Sequence, residues 1–312
     1  MGNGRLKDKV ALIVGAGQQP GESIGNGRAV AERYAQEGAA LLLVDIQPDW
    51  LNDTLQAVLA LGGRASAWQA DITDEAQCQA MAQTCVQRYG RIDILHNNVG
   101  ASKGDRATSD LSVQTWDRIM GMNLRGMFLS CKHVLPHMVR QQSGCIINIS
   151  STSSLAARPT VTYKTSKAGV NALTQHIAME HAAHGIRANA ILPGLIDTPM
   201  AINRRAQERG VPASVVRQER NALVPMGFMG SAWDVAHAAL FLASDEARYI
   251  TGVLLPAAGV PAGLSPPPMS PALRALRSHA SCSVGVPAGR SSVCSLGSPF
   301  SSSASSAFAS SW

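Results

Sequence analysis

Tyr163 and Lys167 stand four residues apart, a spacing that on a helix places both side chains on one face. A phenol titrates near pH ~10, too high for a base at neutral pH. An ammonium about 4 Å away, at an effective dielectric of about 20, is worth roughly 4 kcal/mol and lowers that value by about three units. Tyr163 then becomes usable as a general acid/base. Because the spacing is common on helix surfaces, the pair needs partners before it implies catalysis.

A second constellation lies near the N-terminus. An apolar run ends in Gly15-Ala16-Gly17, a spacer follows from Gln18 to Ser23, and Ile24-Gly25-Asn26-Gly27-Arg28-Ala29 opens a helical segment. Glycines at 15, 17, 25 and 27 permit a tight turn, let backbone approach a pyrophosphate, and bring the free N–H groups of a helix start toward that charge. The spacer is several residues longer than in the compact form of this loop. Past Gly27 the next apolar run, Leu42-Leu43-Val44, ends in Asp45. A carboxylate there can accept both hydroxyls of an adenosine ribose, and it repels a 2′-phosphate by roughly 4 kcal/mol before screening. NAD rather than NADP is the expected cofactor.

These groups need a scaffold. Short runs rich in Val, Ile and Leu alternate with longer stretches of helical period, the pattern of a doubly wound, mostly parallel α/β sheet with helices on both faces. Seven strands are expected, near Lys9 to Val14, Ala40 to Asp45, Ala65 to Ala70, Ile92 to His96, Cys145 to Ile149, Arg187 to Leu192 and Val253 to Ala257. The segment from Thr198 to about Val224 reads as an irregular excursion over the substrate. Residues 1–260 are expected to form one domain. After Gly263 come Pro266-Pro267-Pro268, many serines and almost no charge, so 261–312 is expected to be a low-complexity, disordered tail.

Composition argues against other classes. Of the formal charge of +6, the tail carries Arg274, Arg277 and Arg290 with no acidic residue, leaving about +3 elsewhere and no basic cluster interleaved with aromatics; nucleic acid is not an expected partner. No apolar run is long enough to span a membrane, and Leu6 spoils a myristoylation signal at Met1-Gly2, so a cytoplasmic enzyme without membrane attachment is expected. Cysteines at 78, 85, 131, 145, 282 and 294 show no zinc-like spacing. His133 and His137 have the spacing of a metal pair but no evident carboxylate, so no metal site is expected.

Further motifs carry a resemblance. Ala70-Asp71-Ile72, Asn97-Asn98-Val99-Gly100, Met122-Asn123-Leu124-Arg125-Gly126, Asn148-Ile149-Ser150-Ser151, Tyr163-Lys164-Thr165-Ser166-Lys167 and Asn189-Ala190-Ile191-Leu192-Pro193-Gly194-Leu195-Ile196-Asp197-Thr198-Pro199-Met200 follow the glycine loop in order. From about Leu6 to Gly259 the chain resembles the short-chain dehydrogenase/reductase family. The resemblance implies reversible hydride transfer between NAD(H) and a secondary alcohol or ketone, on a cyclic alcohol, sugar, hydroxysteroid or 3-oxoacyl substrate. It assigns Tyr163 as acid/base, Lys167 to the ribose and the phenol, Ser151 to the substrate oxygen with Ser150 as the alternative, and Asn123 to a water relay. It places Asp71 and Ile72 at the adenine, Asn98 and Gly100 on the adenosine side, and Ile196 and Thr198 at the carboxamide. Asn97 is expected to pin neighbouring strands through its amide. A dimer or tetramer of identical chains is implied too.

The pattern departs from the family in places. The long glycine spacer also resembles the enoyl reductase branch, but that branch spaces its tyrosine and lysine wider. Phe228 stands where relatives often carry Arg, and Pro256-Ala257-Ala258-Gly259-Val260 where they often read Val-Asp-Gly-Gly. The unusual ending suggests a shifted reading frame and a weakened oligomer. A catalytically weak NAD-binding protein is the alternative of a different class.

Overall fold

The computed structural model describes residues 4–156 and 160–259. In chain order its strands are β1 (Val10–Val14), β2 (Ala40–Asp45), β3 (Arg64–Gln69), β4 (Ile94–Asn97), β5 (Gly144–Ile149), β6 (Ile186–Pro193), a two-residue pair β7 (Ile196–Asp197) and β8 (Gly230–Ser231), and β9 (Leu254–Ala257). All but β7 and β8 join one parallel sheet in the order β3-β2-β1-β4-β5-β6-β9. Each of the seven expected strands is present, with no end displaced by more than two residues and Ala40–Asp45 matched at both ends. The expected tail, 261–312, lies outside the described residues, as do Cys282 and Cys294.

Helices α1 (Asn26–Gln36), α2 (Pro48–Ala60), α3 (Glu75–Tyr89), α4 (Val113–Met120), α5 (Gly126–Gln141), α6 (Thr162–His181), α7 (Pro199–Arg209), α8 (Ala213–Leu223) and α9 (Ala232–Ala243) complete the order. The near-continuous apolar character of β1 and β2 follows from burial on both sides, since successive side chains point to opposite faces. Ala11, Ile13, Leu41 and Leu43 pack with Val30 and Tyr34 of α1 and Val235 and Leu242 of α9. Val10, Leu12, Leu42 and Val44 pack instead with Met81 of α3 and Leu129 and Val134 of α5.

One expectation fails between Thr198 and Val224. That segment is helical, as α7 and α8, and is not an irregular excursion. Thr198 caps α7 through its hydroxyl, Pro199 occupies the first turn, and Gly210 ends it at φ 63°. The helices bury few side chains, among them Ile202, Ala206 and Val216, in a small cluster of their own with Val224 and Met229. So thin an apolar stripe, set among arginines, gives little helical period to read.

Other expectations gain detail. The Asn97 amide donates to Asn148 Oδ1 at 2.9 Å, joining β4 to β5 as its position implied. His133 does have a carboxylate beside it, Glu75 at 3.3 Å, which the sequence spacing hid. His137 faces Arg140 instead, and no group of three His, Cys, Asp or Glu side chains able to hold a metal occurs among the described residues. Cys78, Cys85, Cys131 and Cys145 are buried free thiols. No helix among the described residues is long and apolar enough to cross a membrane.

Candidate active site

Strand order reverses between β1 and β4, the position at which parallel sheets of this kind open a crevice at the carboxyl ends of their strands. A cleft of about 970 Å³ opens there. It runs from Asp45 and Asp71, past the ends of β2 and β3, to Ser151, Tyr163 and Lys167 beyond β5, with α7 along its rim. A smaller cavity of about 540 Å³ lies at the opposite ends of the strands, between Lys9, Asp93, Arg187 and Tyr249. None of the expected site residues lines it.

The glycine loop is shaped for close approach. Gly15 has φ 80°, and a Cβ there would stand 2.9 Å from the Val99 side chain. A Cβ on Gly27 would run into the carbonyl oxygen of Gly15, so only glycine lets α1 sit this near β1. The first intrahelical bond of α1 comes from Ala29 N to Gly25 O, which leaves the N–H groups of residues 26–28 without helix partners at the cleft. Such a start is an anion-binding element. Asp45 Oδ2 accepts from Gly17 N at 2.9 Å, while Oδ1 accepts from Gln47 N at 3.0 Å. The Asn98 amide donates to Gly15 O at 2.9 Å and ties β4 to the turn.

The long spacer is held by a residue the sequence reading missed. Gln18 is buried; its amide donates to Gln19 O at 2.7 Å and Ser23 O at 3.2 Å, and its oxygen accepts from Gly25 N at 2.9 Å. The spacer also reaches the rim. Arg217 of α8 pairs with Glu22 at 2.7 Å and with Asp197 at 2.9 Å, and the Asn203 amide of α7 donates to Pro20 O at 3.1 Å. The extra residues thus make a clasp between the phosphate loop and the helices over the cleft.

At the other end, Lys167 Nζ lies 5.9 Å from the centroid of the Tyr163 ring, as a shared helix face requires. The ammonium is buried and donates to Ile149 O at 2.7 Å and Val99 O at 3.4 Å. Burial pushes its pKa down from 10.5 to about 7. A Cβ on Gly100 would come within 3.0 Å of Nζ, so this glycine makes room for the lysine head.

Asn123 is wholly buried in a π-type turn, residues 121–125, between α4 and α5, and not on a helix surface. Its Oδ1 accepts from Ala101 N at 2.8 Å, and its amide donates to Ala101 O at 2.9 Å and Ser166 Oγ at 3.0 Å. The Ser166 hydroxyl in turn donates to Tyr163 O at 2.8 Å. The two candidate serines differ. Ser150 Oγ donates to Lys167 O at 3.0 Å. Ser151 Oγ accepts from Ser153 N at 3.1 Å, a bond that leaves its own proton to be donated.

The chain is similar to known proteins. Residues 21–259 match the family model described as enoyl-(acyl carrier protein) reductase. The 3-oxoacyl-[acyl-carrier-protein] reductase FabG of Thermotoga maritima is 36% identical over 261 residues, which cover 83% of this chain and 99% of that protein. The chain belongs to the short-chain dehydrogenase/reductase family. Solved members of the family share its fold: levodione reductase superposes with a TM-score of 0.77 at 35% identity, over 81% of this chain and 97% of that one. An NAD⁺-bound xylitol dehydrogenase gives 0.75 at 31%, over 82% and 99%.

Against that family pattern, the cleft gathers three of the four expected catalytic residues, Ser151, Tyr163 and Lys167; the fourth, Asn123, lies behind its wall and touches Ala101. Asp71 and Ile72 line it, with Asp71 Oδ1 accepting from Thr73 N and Thr73 Oγ1, both at 2.8 Å. Ile196 and Thr198 line it as well, although the Thr198 hydroxyl also caps α7. Gln18, Ser166, Arg217 and Asp105, whose carboxylate accepts from Thr162 N and Tyr163 N, had no role assigned from the sequence, because each acts through partners distant in the chain or through main-chain atoms.

Proposed function

We propose that this short-chain dehydrogenase/reductase transfers a hydride reversibly between NAD(H) and a secondary alcohol or its ketone. The observation that carries this reading is the burial of the Lys167 ammonium beside the Tyr163 ring, in the same cleft that Asp45 closes at its far end. The residues present fit a dinucleotide: glycines at 15 and 27 let the loop, α1 and Val99 pack closer than any Cβ allows, and the start of α1 offers N–H groups without helix partners at the cleft. Gly15, Gly17, Gly25 and Gly27 would face the pyrophosphate, Asp45 the adenosine ribose, Asp71 and Ile72 the adenine, and Ile196 and Thr198 the carboxamide. The nicotinamide ring, when bound, supplies or accepts the hydride.

In this reading Tyr163 moves the proton at the substrate oxygen. Lys167 favours the phenolate and holds the ribose, and Ser151 donates to the substrate oxygen and keeps it near Tyr163. Ser150 is less suited, because its hydroxyl is engaged with Lys167 O. Asn123 spends its side chain on Ala101 and Ser166, so a water at this point of the relay would bond to main-chain groups of the widened turn. The three-residue separation of Tyr163 and Lys167 supports alcohol and ketone chemistry over the enoyl reduction that the family model's description mentions. The carboxylate of Asp45 favours NAD, and the xylitol dehydrogenase relative is itself NAD⁺-bound. Exposed Phe128 on α5 and Met179 on α6 supply apolar surface for self-association.

The decisive variant is Tyr163→Phe, assayed over a panel of cyclic alcohols, sugars, hydroxysteroids and 3-oxoacyl esters. Loss of turnover with NADH binding retained is the expected result; turnover equal to wild type ends the proposal.

A further inference from the structure

The charges along the cleft are sorted by position. Asp45 and Asp71 follow β2 and β3, whereas Lys103, Arg106, Arg204, Arg205 and Arg220 gather around the substrate end. Two carboxylates share that end. Asp105 is committed to main chain, accepting from Thr162 N at 3.1 Å and Tyr163 N at 2.8 Å. Glu208 is exposed one turn along α7, with Oε1 3.7 Å from Arg204 Nε, longer than a hydrogen bond.

Arg204 stands out within this group. Its Nη1 donates to Ser102 Oγ at 3.3 Å, which fixes the guanidinium against the wall two residues beyond Gly100, the glycine that faces Lys167 Nζ. Its Nε is closed off from solvent and has no hydrogen-bond partner among the described residues. A buried donor without an acceptor is costly until something accepts from it, and the planar fork of an arginine matches an oxyanion.

We propose that Arg204 anchors an oxyanion, a carboxylate or a phosphate, on the carbonyl substrate, so that the enzyme prefers anionic ketones to neutral ones. This rests on the hydride-transfer reading and deepens it. The Arg204 side chain is 27% exposed, so the anion meets the accessible edge of its guanidinium in competition with Glu208, while the reacting carbonyl lies toward Tyr163. Lys103 and Arg106 add a favourable field at the entrance.

Two matched pairs of probes, titrated into the NAD⁺ complex of the full chain, test it: acetoacetate with its methyl ester, and dihydroxyacetone phosphate with dihydroxyacetone. Binding of the charged member at least about tenfold tighter in one pair is expected, the size of one charge-assisted hydrogen bond. The pair that shows it identifies carboxylate or phosphate. R204A should erase the preference, R204K should retain part of it, and E208Q, which changes only an exposed competitor, should increase it. No preference in either pair, a preference that survives R204A, or a loss of NADH affinity in R204A as large as the loss for the probes would overturn the assignment. Failure of wild-type protein to bind NADH would sink the dinucleotide reading and this inference together, whereas intact NADH binding without anion preference sinks this inference alone.

Discussion

The carboxylate of Asp105 accepts the backbone N–H of Tyr163 at 2.8 Å, from a loop 58 residues earlier in the chain. It also accepts from Thr162 N at 3.1 Å, and Val161, at the helix start, supplies no side-chain cap. An imported anion therefore satisfies the first donors of α6 and fixes where that helix begins. Because Tyr163 sits in the first turn, Asp105 is a positioning residue for the phenol.

Asp105→Ala is expected to lower stability by about 1–2 kcal/mol, the usual loss for a helix cap. It should also reduce kcat about tenfold or more with NADH affinity little changed, while Asp105→Asn, which keeps one acceptor oxygen, recovers most of the rate. Stability that falls alone, with kcat intact in both variants, would reduce Asp105 to a cap.

The glycines of the nucleotide loop should separate cleanly on substitution. Gly27→Ala forces a methyl group into Gly15 O and pushes α1 off β1, a backbone clash expected to cost about 3 kcal/mol or more. Gly25 has φ −81° and ψ 153°, ordinary values for alanine, and its added Cβ would meet only Gln18 Oε1 at 3.6 Å and Gly17 O at 4.0 Å. Gly25→Ala should unfold in urea near the wild-type midpoint and yet bind NADH more weakly. Equal destabilisation of the two variants would show that the loop is not packed as described.

Cofactor choice is testable at Asp45. Asp45→Asn keeps an acceptor for Gly17 N but removes the charge that faces a 2′-phosphate. At an effective dielectric of about 20 that repulsion is at most about 4 kcal/mol, and partial exposure screens it, so a gain in NADPH affinity of about tenfold to a hundredfold is expected. Fluorescence titration with both nucleotides decides the matter, and a wild-type protein that already binds NADPH as tightly as NADH refutes the role given to Asp45.

The central strands were legible because both of their faces are buried, which writes runs such as Val10 to Val14 and Leu41 to Val44 into the chain. Tyr163 and Lys167 were legible because a helical turn places them together without help from the rest of the fold. Helices α7 and α8 were not, since their apolar contacts are few and local. Nor were Asp105, Gln18 and the Arg217–Glu22 pair, whose partners lie far away in sequence or are main-chain groups that carry no residue code.

Lys167 offers a test that needs no substrate. Its burial lowers the pKa from 10.5 to about 7, so the unfolded chain binds the proton more tightly than the folded one. The sign follows directly. Below pH 7 both states are protonated and the folded protein bears the whole desolvation cost, on the order of a few kcal/mol. Between 7 and 10.5 the folded state releases its proton first and the cost shrinks; above 10.5 it is gone. Lys167→Met removes this term and also removes the donor to Ile149 O and Val99 O, a loss that does not vary with pH. Urea unfolding of both proteins at pH 6 and pH 9.5 should therefore show the variant faring better relative to wild type at the lower pH, by a margin that narrows at the higher. A difference that stays flat across that interval would mean that the ammonium is not desolvated in the fold, and the buried placement of Lys167 beside Tyr163 would be refuted.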